Sequence, residues 1–363
     1  MSRGRRVVVT GLAWLLGASS AMATPTESPR ERIASELERL RRAAGAVTSG
    51  REEWTRAKPQ ILEQLDEAAT DLGAGRTELA LVALGAAAAH LQGYLLMVAD
   101  GGSADEAESR FATIRDEQQS RLRADESAYR ERSRTGTAAS RALEQAAAAR
   151  AMRYHRAAAP YADATGVDAG YYYLGLARGL YEYASFVSGI DWGERPPLPA
   201  LRSIDSELTA LERRVTDSYR PPASIEHHDD FIRVNASLKL ARELDEADER
   251  FGALYQYLET LRLFAVVGAD ADRGLDAEAL ALASRDSVER IEREQVDHTI
   301  AEMFLQLARS AATRSDDAAG RATARDVVDR VLPAYFAVLD GKGDDLSEVD
   351  GLVTVTLVRW PYT

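Results

Sequence analysis

Ile33, Leu37, Leu40, Ala44 and Val47 step by four, three, four and three. That spacing lays them along one stripe of an α-helix. A chain that repeats such stripes must bury helix against helix. The pattern recurs at Trp54, Ile61, Leu65, Ala68 and Leu72, and again at Leu201, Ile204, Leu208, Leu211 and Val215. Start signals agree with it. Ser28-Pro29-Arg30-Glu31 sets an N-cap serine, a proline at the first helical position and a glutamate that can reach back to the cap. Ser49 to Glu52 and Ser103 to Glu106 have the same capping-box spacing. β-Branched runs are scarce, and alanine and leucine favour helix. The expected fold is all-α, with antiparallel helix pairs forming a helical array or an irregular bundle.

Gly73-Ala74-Gly75 is a turn that folds a helix from Thr77 to Val98 back on its predecessor. Residues 103–134 are polar, with Phe111, Ile114, Leu122 and Tyr129 as their large apolar residues, and read as a solvated helix or an arm. Ala138 to Tyr161 is an alanine-rich helix, and Asp168 is placed to cap the next. The proline-rich run Asp191–Pro199 is a linker. Phe231–Asp245 and Glu249–Val267 form a second pair. Asp276–Ala312 is one long helix or two shorter ones. Ala324–Leu339 is another, and Pro59 and Pro333 are expected to bend or break their helices. Leu352–Thr363 alternates β-branched and polar residues and reads as one short C-terminal β-strand. The organisation is thus a leader at 1–23, helical regions at 24–190 and 200–345, and a strand-like tail at 352–363.

The leader has Arg3, Arg5 and Arg6, a short apolar stretch Val7–Leu16, and Ala21-Met22-Ala23 as a cleavage site. This order is a secretory signal peptide and points to an exported chain, periplasmic or secreted. No later stretch is expected to be long and apolar enough to cross a bilayer. The 363-residue chain has no cysteine, which excludes disulfides, thiol catalysis and thiolate metal sites. Its formal charge is −13, and the leader carries three arginines and no acid, leaving −16. A nucleic-acid partner is not expected for that sign. No nucleotide-binding or cofactor fingerprint is present.

Leu174-Gly-Leu-Ala-Arg178 recurs as Leu238-Lys-Leu-Ala-Arg242 and Leu305-Gln-Leu-Ala-Arg309, 64 and 67 residues apart. Tyr173-Leu174-Gly175-Leu176-Ala177 resembles the first half of a tetratricopeptide-type repeat, where a Leu-Gly pair sits in the first helix. Gly75, Ala80, Leu84 and Ala87 resemble its second half. Leu240, Ala241, Ala253 and Tyr257 resemble parts of both. The resemblance implies stacked helix pairs whose concave face binds a peptide or partner protein. A period near 65 would hold about two such units.

Four sets of residues could carry chemistry. Tyr172, Tyr173, Tyr181 and Tyr183, beside Tyr171, form an aromatic set divided between core and surface, suited to a glycan or small ligand. His227, His228 and Asp230 are the densest group of metal-ligating types and would serve a helical metal-binding or hydrolytic enzyme. Glu294, His298 and Glu302 lie four apart and are expected to face water, since Val296, Ile300, Met303 and Leu307 form a separate apolar line. The acids of Asp270–Glu278 read as a solvated loop. The expectation is a non-catalytic scaffold without a cofactor, binding another envelope protein or a peptide.

Overall fold

The computed structural model describes residues 27–99, 104–132, 136–221, 227–266, 274–313 and 318–341, the side chains of 104, 105 and 123–132 excepted. Among these residues all regular secondary structure is helical. The leader, Ser103, most of the 268–274 loop and the expected strand at 352–363 lie outside the described residues. Contacts divide the chain into two compact units. The first takes residues 1–128, 151–182 and 190–192. The second takes 129–150, 183–189 and 193–363.

The first unit begins with α1 (Pro29–Ala46). Its capping box forms as expected: Glu31 N–H donates to Ser28 Oγ at 3.3 Å, and Ser28 N–H to Glu31 Oε2 at 2.9 Å. Ile33, Leu37, Leu40 and Ala44 are buried along it. The second box does not form. α2 (Glu52–Gly73) starts from Arg51, and Ser49 Oγ accepts from Arg51 N–H instead. The Arg51 side chain reaches across the unit to the Met97 carbonyl and, at 2.6 Å, to Asp168. α2 runs through Pro59 as one element rather than breaking there.

The turn into α3 (Thr77–Val98) satisfies the carbonyls that a helix end leaves open. Gly75 takes φ +79°, its N–H donates to Leu72 O, and Arg76 N–H donates to Asp71 O. Glycine reaches that left-handed geometry without a Cβ penalty. By length and composition α3 could cross a membrane, which corrects the sequence reading. More than half (56%) of its apolar window is buried inside the protein, so its hydrophobicity is used in packing.

α4 (Ala104–Arg132) is a helix, and Phe111 and Leu122 are buried from it. α5 (Ala138–Thr165) and α6 (Val167–Ser188) each contribute residues to both units. Asp168 lies in the first turn of α6 and pairs with Arg51 instead of capping. Where α6 meets α3 the backbones touch. A Cβ on Gly175 would sit 2.5 Å from Gly93 Cα, and one on Gly179 would sit 2.5 Å from the Ala88 carbonyl oxygen. The Gly175 of the repeated motif is therefore a contact that no larger residue fits.

The second unit holds α7 (Asp205–Ser218), α8 (His228–Glu246) and α9 (Arg250–Val266). The α8–α9 connection uses the same turn as α2–α3, with Asp248 at φ +64° in place of glycine. Asp tolerates that region better than most residues. Buried polar side chains tie α5 and α8 to α9. Ser237 and Thr260 hydroxyls lie 2.7 Å apart, Gln256 Nε2 donates to Ser237, and Arg150 donates to Gln256 Oε1 at 2.7 Å. Gly252 N–H donates to Gln145 Oε1 at 2.6 Å.

Residues 276–312 form three helices, not one or two: α10 (Ala277–Ala283), α11 (Arg285–Arg293) and α12 (Thr299–Thr313). α13 (Ala318–Asp326) passes through a π turn, Val327–Val331, into α14 (Leu332–Leu339). Leu332 N–H donates to Val327 O, five residues back. Pro333 has no N–H to give, and the widened turn shifts the ladder by one residue just ahead of it.

The α3–α6 contact yields a paired prediction. Gly175→Ala should lower stability by about 1–3 kcal/mol, because overpacking here pushes on backbone. Gly45→Ala, where an added Cβ meets nothing within 4 Å, should be neutral or stabilise by up to about 1 kcal/mol. Urea titrations of both variants check this; equal effects would refute the packing argument.

Candidate functional site

Two of the four expected tyrosines come together, and they join others. Tyr172 and Tyr173 lie in the first unit. Tyr173 stacks on Tyr161 with centroids 4.0 Å apart and planes at 13°, and meets Tyr154 edge-on at 5.7 Å. Tyr172 lies 6.1 Å from Tyr173 and 4.9 Å from Tyr94, which in turn lies 6.4 Å from Trp54. Burial pushes the Tyr172 and Tyr173 phenols above their usual range, helped by the Tyr94 and Tyr161 hydroxyls respectively. Tyr181 is half-buried farther along α6. Tyr183 belongs to the second unit. It is buried, its hydroxyl has no hydrogen-bond partner among the described residues, and burial raises its pKa. The sequence spacing placed these residues on one helix but could not show that α2, α3 and α5 supply the neighbouring rings.

His227, His228 and Asp230 open α8 on its exposed side. His227 Nδ1 lies 3.8 Å from Asp230, whereas His228 Nδ1 faces the Tyr219 hydroxyl at 3.0 Å. The two imidazoles thus take different partners. Among the described residues no group of three or more His, Asp and Glu could hold a metal ion.

The second line, Glu294, His298 and Glu302, does not face water as expected. His298 is buried just ahead of α12, where Nδ1 meets the Tyr335 hydroxyl at 3.0 Å and Nε2 lies 3.2 Å from Glu294. Asp297 beside it is also buried. It accepts from Ala138 N–H at 3.1 Å and Thr299 N–H at 2.9 Å, so one carboxylate serves the first turns of α5 and α12. The 294–298 break between α11 and α12 buries residues that an unbroken helix would have exposed. Burial holds the His298 imidazole below its usual pKa, although Glu294 pulls the other way. Burial raises Glu302, with Asp297 adding to the effect.

Those breaks at Ser284 and 294–298 also create a groove that sequence inspection missed. α11 has no buried residue, and α10 and α11 leave part of the α12 face open. A cavity of about 460 Å³ is lined by Leu280, Ser284, Arg285, Val288 and Arg309 among others. A second, of about 230 Å³, shares Val288 and Arg309 and adds Ile291, Glu302, Leu305 and Gln306. The first lies in the size range of ligand sites. Gln306 Oε1 is buried without a hydrogen-bond partner among the described residues. Such a group normally finds one.

The recurring motif shows what sets this groove apart. Leu174, Leu238 and Leu305 are all buried, as are Ala177, Ala241 and Ala308. The arginines differ. Arg178 pairs with Glu182 at 2.8 Å, and Arg242 with Asp205 and Glu212 at 3.1 and 2.8 Å. The Arg309 side chain has no ion-pair partner among the described residues and lines both cavities. Comparison with protein-family models, with curated proteins and with solved structures finds no match to this chain.

Buried acids give the second unit a pH signature. Burial pushes the Asp326 carboxyl, 3.5 Å from Arg330, up to about 6. A raised pKa favours the protonated folded form, so this contribution is full below the unfolded value near 3.8 and is lost as pH rises through 6. His298 acts oppositely: its contribution is present above about 6.5 and is lost on acidification. Asp326→Asn should therefore raise stability at pH 8, by up to about 3 kcal/mol, and leave it unchanged at pH 4. Thermal melts of both proteins across that range test the sign.

Proposed function

We propose that the protein is an exported, non-catalytic helical scaffold that binds an acidic, apolar-anchored segment of a partner protein in the α10–α11–α12 groove. The unpaired Arg309 between the two cavities carries this reading. Apolar side chains would enter beside Leu280 and Val288. A carboxylate would meet Arg309, with Arg285 nearby, and a peptide N–H would satisfy Gln306 Oε1. Arg285 also lacks an ion-pair partner among the described residues; Glu289, Glu292 and Glu302 line the same cavities, so an occupant's carboxylate has to sit at Arg309 and Arg285 and away from those acids.

The tetratricopeptide resemblance supports a binding role for paired helices, and the proposal keeps it at that level. The Leu352–Thr363 segment, read as a strand, is a candidate second contact by addition to a partner's sheet edge. Export rests on the tripartite leader. The mature protein should begin at Thr24, and N-terminal sequencing of protein from the envelope or medium would show this; an intact Met1 would remove the exported reading.

Selecting random dodecapeptides on the full chain tests the groove. Enriched peptides should carry Asp or Glu next to large apolar residues. Arg309→Glu should weaken them about tenfold or more, equivalent to 1.4 kcal/mol or more. Replacing the peptide's acid by lysine should restore binding to that variant. Val288→Asp should abolish it. Peptides that bind all three proteins equally would place the site elsewhere.

A further inference from the structure

We infer that Tyr161 and Tyr173 form an oxidative cross-linking site, at which a one-electron oxidant joins α5 to α6 through a dityrosine bond. Three observations meet there. The two rings are stacked at 4.0 Å and are nearly parallel, at 13°. Tyr161 is 43% exposed, so an oxidant reaches it from solvent. The chain has no cysteine, so a covalent staple has to come from other side chains.

The rings behind the pair extend its reach. Tyr154 and Tyr172 contact Tyr173 edge-on, and Tyr94 and Trp54 continue the series at 4.9 and 6.4 Å. Phenols and indoles are the readily oxidised aromatic side chains. An oxidising equivalent that arrives at any of these rings has a path of near-contact hops to the stacked pair. The pair is where two phenols are close enough to couple.

The chemistry balances simply. Each phenol loses one electron and one proton to become a tyrosyl radical. The radicals join through the ring carbons ortho to oxygen, and the ortho protons shift to the oxygens to restore aromaticity. The protein loses two hydrogens in all. With a haem peroxidase as oxidant, one hydrogen peroxide takes up the two electrons and two protons and leaves as two waters. Both radicals are held on one scaffold, so coupling is intramolecular and is favoured over dimer formation. The exposed Tyr161 ring can rotate from stacked to edge contact as the bond forms.

The test uses the full chain with a haem peroxidase and limiting hydrogen peroxide. Trypsin releases residues 157–178 as one peptide, which contains both rings and also Tyr171 and Tyr172. The expected product is a monomer with blue dityrosine fluorescence. Its 157–178 peptide lacks two hydrogens and gives no backbone fragments between positions 161 and 173. Tyr161→Phe and Tyr173→Phe should each remove this product, and Tyr154→Phe should keep it. Circular dichroism before oxidation confirms that each variant is folded. The inference is overturned if the bond maps to another tyrosine, if only dimers form, or if folded wild-type protein is hydroxylated without cross-linking.

Discussion

The first unit depends on a backbone contact more than on any side chain. At Gly175 and Gly179 the α6 backbone lies against Ala88, Gln92 and Gly93 of α3, with no room for a Cβ. Helices this close gain dispersion contacts along their whole crossing. Their approach also fixes what surrounds them. Gly93 abuts the Tyr172 ring, so the crossing sets where that ring points and how it meets Tyr94. On the same helix Tyr171 is turned into the core, where its hydroxyl donates to the Ala107 carbonyl at 2.7 Å and its ring meets Phe111 edge-on. The aromatic array is a consequence of this crossing: α6 carries three consecutive tyrosines, and a close partner leaves each a different environment.

The second unit solves its packing with polar groups. Ser237, Gln256, Thr260 and Asp297 are buried, and each has hydrogen-bonding partners on the same or another element. Such groups are costly when orphaned and directional when satisfied. They fix which faces of α5, α8 and α9 meet, a choice that alanine-rich surfaces leave loosely determined. Asp297 is the tightest case, because its carboxylate receives donors from the first turns of two helices.

Much of the helix layout was legible from short-range rules. The capping box at Ser28, the glycine turn at Gly75 and the three-four spacing on α1, α2 and α7 all depend on neighbours in sequence. Misreadings arose where long-range contacts intervened. The Ser49 box lost to Arg51, whose guanidinium finds Met97 and Asp168 far along the chain. Ahead of Pro333 the helix widens into a π turn, which the sequence does not signal. The separate apolar line Val296, Ile300, Met303 and Leu307 points His298 to a wet face; the break after Glu294 turns it inward. α10 and α11 are each too short to show a full stripe, so the groove they leave on α12 had no sequence signature.

The repeated Leu-x-Leu-Ala-Arg illustrates how one local solution acquires different consequences. Its first leucine and its alanine pack inward each time, whereas the second leucine is buried at Leu176 and Leu240 and half-buried at Leu307. Its arginine is left on the outer edge of the helix, where the neighbour decides its state. In α6 and α8 an acid lies within reach and the charge is compensated inside the protein. In α12 the neighbours are α10 and α11, which stand back from it and present Leu280, Val288 and Ile291 together with Glu289 and Glu292. The same four residues therefore carry two compensated arginines and one that lines an open groove. A repeat alone would predict three equivalent sites. It is the lack, among the described residues, of an acid in ion-pair reach of Arg309, together with the incomplete cover from two short helices, that singles out the third.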